Sequence, residues 1–174
     1  MTPRELEEYA ALRATIRERG SLRVTLFLAT LFAWGGATIA TAALAALPVA
    51  ALLPLLLLAA GFEGVLSLHT GVERIGRYLQ VFYEADAACA WERTAMAYGK
   101  QFPGGPDPLF SAHFALAAAL NFVPVLLADP VRVEWSVVGL MHVLFGIRIV
   151  AARRSAGRQR AMDLERFERL RDSR

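Results

Sequence analysis

The feature that most constrains the fold is an uncharged run of 39 residues, from Val24 to Phe62. A helix rises about 1.5 Å per residue, so roughly 20 apolar residues cross the ~30 Å of bilayer hydrocarbon. The run is therefore long enough for two membrane-spanning helices joined by a tight turn. Hiding it inside a soluble protein of 19.0 kDa would be difficult, because a small domain leaves much of its surface in water.

Two further apolar stretches extend the pattern to four spans. Residues Pro108 to Ala128 contain no Asp, Glu, Lys or Arg, and a shorter stretch from Trp135 to Ile147 ends at Arg148. That stretch reaches span length if Arg148 keeps its stem in lipid and its guanidinium at the interface. We therefore predict an all-α, polytopic membrane protein whose transmembrane domain covers residues 21–152, with spans at about 22–44, 49–69, 109–127 and 134–152.

The basic residues indicate an orientation. Of the 19 lysines and arginines, 18 lie within residues 1–23, 70–108 and 148–174, and Arg132 is the other one. Because Lys and Arg are retained in the cytoplasm during insertion, we expect a cell (inner) membrane protein with both termini cytoplasmic. Four arginines at the head of the tail are expected to contact anionic lipid headgroups. They are Arg153, Arg154, Arg158 and Arg160. No nucleic-acid-binding motif accompanies this basic charge.

Helical signals flank the spans. Thr2-Pro3-Arg4-Glu5 has the form of a capping box, which predicts an amphipathic helix over residues 1–20 that stops at Gly20. The tail, residues 153–174, is also predicted to be helical. Pro54 is expected either to kink the second span or to lie near its start.

The second span is predicted to continue out of the bilayer as a helical extension over residues 70–100. From the second span into this extension, apolar residues recur at alternating three- and four-residue steps, which is typical of a coiled-coil-like seam. The seam residues are Val65, Leu68, Val72, Ile75, Leu79 and Phe82. The pattern weakens at Asp86 and Cys89, and the helix is expected to reach about Tyr98. Prolines and glycines between Pro103 and Pro108 then end it.

Polar residues inside the spans are the first candidates for a function. Glu63 lies about six residues from the inner end of the second span, or roughly 9 Å deep. An ionisable group at that depth is costly and favours a functional role, the alternative being a hydrogen bond that ties helices together. His113, His142 and Asn121 are the other candidates. Together with Glu63 the histidines could relay protons or hold a metal, or could form hydrogen bonds between helices.

The juxtamembrane helix carries the second set of candidates. It is dense in aromatic and paired charged residues, namely Glu73, Arg77, Tyr78, Tyr83, Glu84, Trp91 and Glu92. Tyr, Trp and Arg are favoured at protein interfaces, so this set predicts a docking surface for another protein or another copy of the chain. The alternative is a solvated helix stabilised by salt bridges.

The function that the sequence favours is a self-assembling membrane scaffold or interaction protein. We expect a homo-oligomer in the lipid bilayer, with a cytoplasmic protein as a further partner. The first alternative is an oligomeric channel or proton-coupled transporter that uses Glu63, His113 and His142. The second is a haem or metal-binding redox protein, since helical bundles hold such groups between facing helices. The sequence contains no catalytic triad grouping, phosphate-binding loop or CxxC, so we expect neither an enzyme nor a bound cofactor or metal.

Overall fold

The computed structural model describes residues 1–43, 47–84, 90–101 and 108–173. Within these ranges all regular structure is helical, which confirms the predicted all-α fold. The elements are α1 (Pro3–Ala43), a short 3-10 helix (Pro48–Ala51), α2 (Leu52–Phe82), α3 (Trp91–Gln101), α4 (Pro108–Leu127) and α5 (Arg132–Asp172).

Over the described part of the chain, four helical segments are long and apolar enough to cross a membrane. They are α1, the 3-10 helix together with α2, α4, and α5, and they contain the predicted spans except for position 44, which lies outside the described residues. Pro54 is the third residue of α2, so it lies near the start of the helix, as one of the two expectations had it. A proline is tolerated in the first turn of an α-helix.

The first helix begins as predicted but does not end where expected. Thr2 and Glu5 form the capping box: the backbone N–H of Glu5 donates to Thr2 Oγ1 at 3.3 Å, and that of Thr2 donates to Glu5 at 2.6 Å. The second bond lowers the pKa of Glu5. The predicted stop at Gly20 is wrong, because α1 runs through it without a break. A glycine inside a helix costs only about 1 kcal/mol, too little to end a helix whose neighbouring residues favour it.

The predicted extension of the second helix to Tyr98 is also wrong. The helix ends at Phe82, and a separate helix, α3, begins at Trp91. The buried Glu84 carboxylate accepts a hydrogen bond from the backbone N–H of Glu92, at 2.8 Å, and so caps the start of α3. This contact requires the chain to leave the α2 axis. Positions 85–89, including Asp86 and Cys89, and the predicted breaker at 103–107 lie outside the described residues.

The third and fourth predicted spans are joined by a tight connection. α4 contains Pro124 one turn before its end, and Asp129 adopts a left-handed φ of 45° in the turn that leads to α5. The fourth span and the tail helix, predicted as separate segments, form the single helix α5. No proline interrupts its sequence, so nothing local opposes the continuation.

The chain divides into two compact units. The apolar unit comprises Val24–Leu66 and Asp107–Arg153, and the charged unit comprises Met1–Arg23, Ser67–Pro106 and Arg154–Arg174. The core of the apolar unit is built around aromatic rings that meet edge to face: Phe62 contacts both Phe114, at 5.4 Å between ring centres, and Phe145, at 5.9 Å. Rings packed in this way gain a quadrupole attraction beyond the area they bury.

The charged unit has a smaller core. Leu79 is fully buried, and the aromatic rings of Tyr78 and Phe82 on α2 lie against Phe167 of α5 at 5.7 and 6.3 Å. From the other side Tyr9 of α1 contacts Tyr83 at 5.7 Å. The aromatic residues thus bring α1, α2 and α5 together within this unit.

Candidate functional site

The most unusual feature of the apolar unit is an ion pair on its surface. The guanidinium of Arg148 on α5 donates two hydrogen bonds to the carboxylate of Glu63 on α2. Nε lies 2.7 Å from Oε1, and Nη2 lies 2.8 Å from Oε2. This two-pronged geometry is the strongest form of a guanidinium–carboxylate contact. The side chain of Arg148 remains 45% exposed, and that of Glu63 remains 49% exposed. Glu63 therefore has an ionic partner and faces out of the apolar unit.

The core contact beside the pair explains its position. Phe62 and Phe145 pack edge to face between α2 and α5, and both are buried. Glu63 follows Phe62 directly, and Arg148 is one helical turn beyond Phe145, so both charged side chains emerge just outside this aromatic contact. Arg148 was expected only to reach toward the interface, and its pairing with Glu63 was not predicted.

A second polar group lies inside the apolar unit, centred on Asn121 of α4, which is 1% exposed. Its Oδ1 accepts a hydrogen bond from the indole N–H of Trp34 at 3.2 Å. Its Nδ2 donates to the carbonyl of Ala51 at 2.9 Å and lies 3.1 Å from Nε2 of His142. One amide therefore joins α1, the 3-10 helix, α4 and α5.

The tautomer of His142 follows from these contacts. Nδ1 of His142 lies 2.8 Å from the carbonyl oxygen of Val138, which can only accept, so Nδ1 carries the proton. Nε2 is then the acceptor for Asn121, and both ring nitrogens are occupied. The ring also packs against Phe122 at 4.9 Å. The half-buried imidazole thus forms a hydrogen bond between helices, which is the structural role that the sequence analysis gave as the alternative for this histidine.

The structure gives the three residues of the predicted proton relay different partners. Glu63 pairs with Arg148 and His142 with Asn121, whereas His113 is exposed and has its ring 5.7 Å from that of Phe27. In the part of the chain that the structure describes, no group of three or more His, Cys, Asp and Glu side chains is placed to hold a metal ion.

A cavity of about 250 Å³ lies in the apolar unit beside Asn121. Thr38, Thr41, Pro54 and Pro124 are among the residues that line it. The two threonine hydroxyls donate to carbonyls of their own helix, Thr38 to Trp34 at 2.8 Å and Thr41 to Ala37 at 2.8 Å. The lining is consequently mostly apolar and offers few directed polar contacts.

In the charged unit, the residues predicted as a docking surface mostly contact the chain itself. Glu84 is 2% exposed and Arg77 is also buried. Arg13 of α1 bridges the two acidic side chains, reaching Glu84 at 3.2 Å and Glu92 at 2.8 Å. Burial raises the pKa of Glu92, and the charge of Arg13 opposes that rise.

The other members of that set follow the same pattern. Arg77 donates to Glu73 at 3.4 Å and to Gln80 at 3.0 Å, and the hydroxyl of Tyr78 donates to Glu8 at 3.0 Å. Tyr78 also contacts Tyr83 at 5.9 Å between ring centres. By contrast, the Trp91 side chain is 67% exposed. Salt bridges and ring contacts within the chain thus engage this helix, and Trp91 is the member that faces outward most.

The seam residues have neighbours in the single chain. Val65 and Leu79 are buried, while Leu68, Val72, Ile75 and Phe82 are half-buried. The burial of Leu79 is complete without any second copy. This set therefore contributes packing inside the chain.

The four arginines predicted to contact lipid differ from one another. Arg153, Arg154 and Arg158 are exposed on α5. Arg160 instead lies 3.0 Å from Glu73 in the charged unit. Three of the four arginine side chains thus face outward, and the fourth, Arg160, forms a salt bridge with Glu73 of α2.

Comparison with known proteins adds no assignment. No protein family model matches the sequence, and no characterised protein or solved structure gives a significant match.

Two contacts of the apolar unit escaped the sequence analysis. The Trp34–Asn121 bond could have been anticipated, because an indole N–H inside a predicted span requires an acceptor and Asn121 is the amide side chain in the predicted spans. The Glu63–Arg148 pair could have been sought by asking which cation in the spans could neutralise Glu63.

Proposed function

We propose that the chain is an integral membrane protein with four spans, located in the cell (inner) membrane with both termini in the cytoplasm. The apolar unit would supply the membrane-spanning segments. Four helices of sufficient length and apolarity support the spans, and the one-sided distribution of 18 of the 19 basic residues supports the orientation.

Labelling of single cysteines tests this topology. Cys89→Ser provides a cysteine-free background. A single cysteine is then added to it, either Asp129→Cys in the α4–α5 turn or Ser173→Cys at the end of the tail. With a membrane-impermeant maleimide on intact spheroplasts, Asp129→Cys should be labelled, and Ser173→Cys only after permeabilisation. Labelling of Ser173→Cys from outside would overturn the orientation.

We further propose that the protein acts as a self-assembling membrane scaffold rather than as a catalyst or transporter. The observation that supports this most is the exposed Glu63–Arg148 pair, which lies one to two helical turns from the exposed apolar side chains of Leu56 and Leu144. A charged pair that faces hydrocarbon is costly, and assembly would remove it from lipid. A cytoplasmic protein partner could use the exposed Trp91.

The two alternatives have weaker support. A proton path through Glu63, His113 and His142 would need these residues to line one route, and they have separate partners. Haem ligation by His142 would require Nε2 to leave Asn121 or Nδ1 to leave the Val138 carbonyl. The cavity beside Asn121 is the feature that favours transport.

Self-assembly is tested by counting subunits in lipid. Fluorescently labelled protein reconstituted at low density should show two or more bleaching steps per spot. Single steps at every protein-to-lipid ratio would refute the scaffold. Proton flux into proteoliposomes that Glu63→Gln abolishes would favour the transport alternative instead.

A further inference from the structure

The Glu63–Arg148 pair has unused hydrogen-bonding capacity on its exposed side. An arginine has five N–H donors, and two of those of Arg148 point at Glu63. The carboxylate can accept about four bonds and receives these two. Neither residue has a further polar partner among the described residues. The outer edge of the pair therefore presents three donors beside free acceptor sites.

Resting on the membrane location and self-assembly proposed above, we infer that this pair is the contact through which a second copy of the chain binds, related to the first by a two-fold axis. In such an interface, residue i of one copy meets residue j of its partner, and j meets i. Arg148 of each copy would then lie against Glu63 of the other. The four side chains would form a ring in which positive and negative charges alternate.

The charge of the pair favours a second copy over a lipid phosphate. A phosphate could accept bonds from Arg148, but it would place a negative charge next to the Glu63 carboxylate. A second Glu63–Arg148 pair brings a cation to that carboxylate as well as an anion to the guanidinium. Both charged groups would then be neutralised and removed from hydrocarbon, which lowers the cost of holding them in a span.

The neighbouring side chains suit a close helix contact. Ala60 precedes Glu63 by one turn, Ala151 follows Arg148 by one turn, and both are exposed. Small residues beside the pair allow helix backbones of two copies to approach closely. Leu56 and Leu144 continue the same two faces and are also exposed, so they supply an apolar margin around the charges.

The other large exposed surface of the apolar unit does not compete with this site. On α1, Phe32 and Ile39 are strongly exposed, and a methyl group added at Gly36 would meet no atom of another helix within 4 Å. These residues are apolar, so acyl chains can cover them without a cost. The ion pair, by contrast, is a surface feature that lipid solvates poorly.

Charge reversal in separate copies tests the contact. Glu63→Arg gives a copy with two cations at the site, and Arg148→Glu gives a copy with two anions. Each variant alone should dimerise at least about tenfold more weakly, because like charges would face each other across the axis. When the two variants carry different fluorophores and are reconstituted together, energy transfer between them should recover.

Two further variants keep the test decisive if a charge reversal prevents folding. E63L/R148L removes both charges and should insert, keep its helicity and be monomeric, since leucine is solvated well by lipid. E165R/R169E reverses an exposed ion pair of α5 in the charged unit and should dimerise like the unchanged protein.

The outcomes separate this inference from the proposed function. If E63L/R148L assembles as the unchanged protein does, the site is wrong but the scaffold stands. If the two charge-reversed variants do not associate with each other, the charge-complementary contact is refuted. If the unchanged protein is monomeric in lipid, both proposals fail. A monomer that retains anionic lipid in native mass spectrometry, and loses it in Arg148→Glu, would identify a phosphate as the ligand.

Discussion

Glu84 and Glu92 contact the same arginine, yet their substitution should have very different effects. Glu84 is buried and accepts bonds from Arg13 and from the backbone N–H of Glu92 at the start of α3. In Glu84→Gln, the single carbonyl oxygen can serve only one of the two donors, and the new NH₂ group faces the other. In Glu92→Gln, the carbonyl oxygen can still accept from Arg13.

The size of the destabilisation follows from the hydrogen bonds that each substitution removes. A capping bond at a helix N-terminus is worth about 1 kcal/mol, and a hydrogen bond between charged groups about 1.5–3 kcal/mol. Because Arg13 keeps Glu92 and is partly exposed, we expect a loss of roughly 2–4 kcal/mol for Glu84→Gln and less than about 1 kcal/mol for Glu92→Gln. The local opening of α3 should then increase roughly 30- to 700-fold in the first variant.

Hydrogen exchange of the full-length protein in lipid nanodiscs measures this opening. Amides of α3 should exchange faster in Glu84→Gln by the stated factor, while amides of α4 should keep their rates in both variants. If Glu92→Gln accelerates the exchange of α3 as much as Glu84→Gln does, then Glu84 is not the residue that holds α3, and the reasoning is refuted.

Three further predictions concern pH, the seam and helix packing. Because burial raises the pKa of Glu92 in the folded state, its contribution to stability is present at low pH and is lost as pH rises through the raised value. The melting temperature of the charged unit should fall over that window, and the fall should be smaller in Glu92→Gln; an equal fall would contradict the assignment. Leu79→Ala should destabilise the charged unit by about 2–5 kcal/mol in chemical unfolding, whereas the exposed Leu170→Ala should have little effect. A loss of oligomer mass in Leu79→Ala without a loss of stability would instead place the seam between copies. Gly61→Ala should destabilise the apolar unit by about 1–3 kcal/mol, because the new methyl group would overlap Thr30, whereas Gly36→Ala meets no neighbouring atom and should be neutral or stabilising. Thermal unfolding of both variants measures this, and equal melting temperatures would refute the close packing of α1 on α2.

The helical elements that the sequence predicted are those set by local chemistry. Uncharged runs such as Val24–Phe62 locate apolar helices because span length is fixed by the bilayer, and the Thr2–Glu5 capping box is complete within four residues. Gly20 was misread for the opposite reason. Its local preference to end a helix is weak compared with the tendency of the flanking residues to continue one.

The features that were not predicted depend on residues distant in sequence. α2 ends at Phe82 although no proline or glycine follows directly. Shortly after this end, the Glu84 carboxylate accepts a hydrogen bond from Arg13, 71 positions earlier. The partner of Glu63 lies 85 positions away on α5. Patterns of hydrophobicity show which face of a helix is buried, but they do not identify which polar side chains meet across two helices.

The arrangement at Asn121 restricts how this part of the protein can change over generations. The amide offers one oxygen and two N–H groups, and Trp34, Ala51 and His142 engage all three. Aspartate would supply no N–H, and leucine would leave an indole, a carbonyl and an imidazole unpaired in an apolar interior. Positions 34, 121 and 142 should therefore covary in descendants of this sequence, with a replacement at one tolerated only when the other two are exchanged for apolar residues or for a new complementary set.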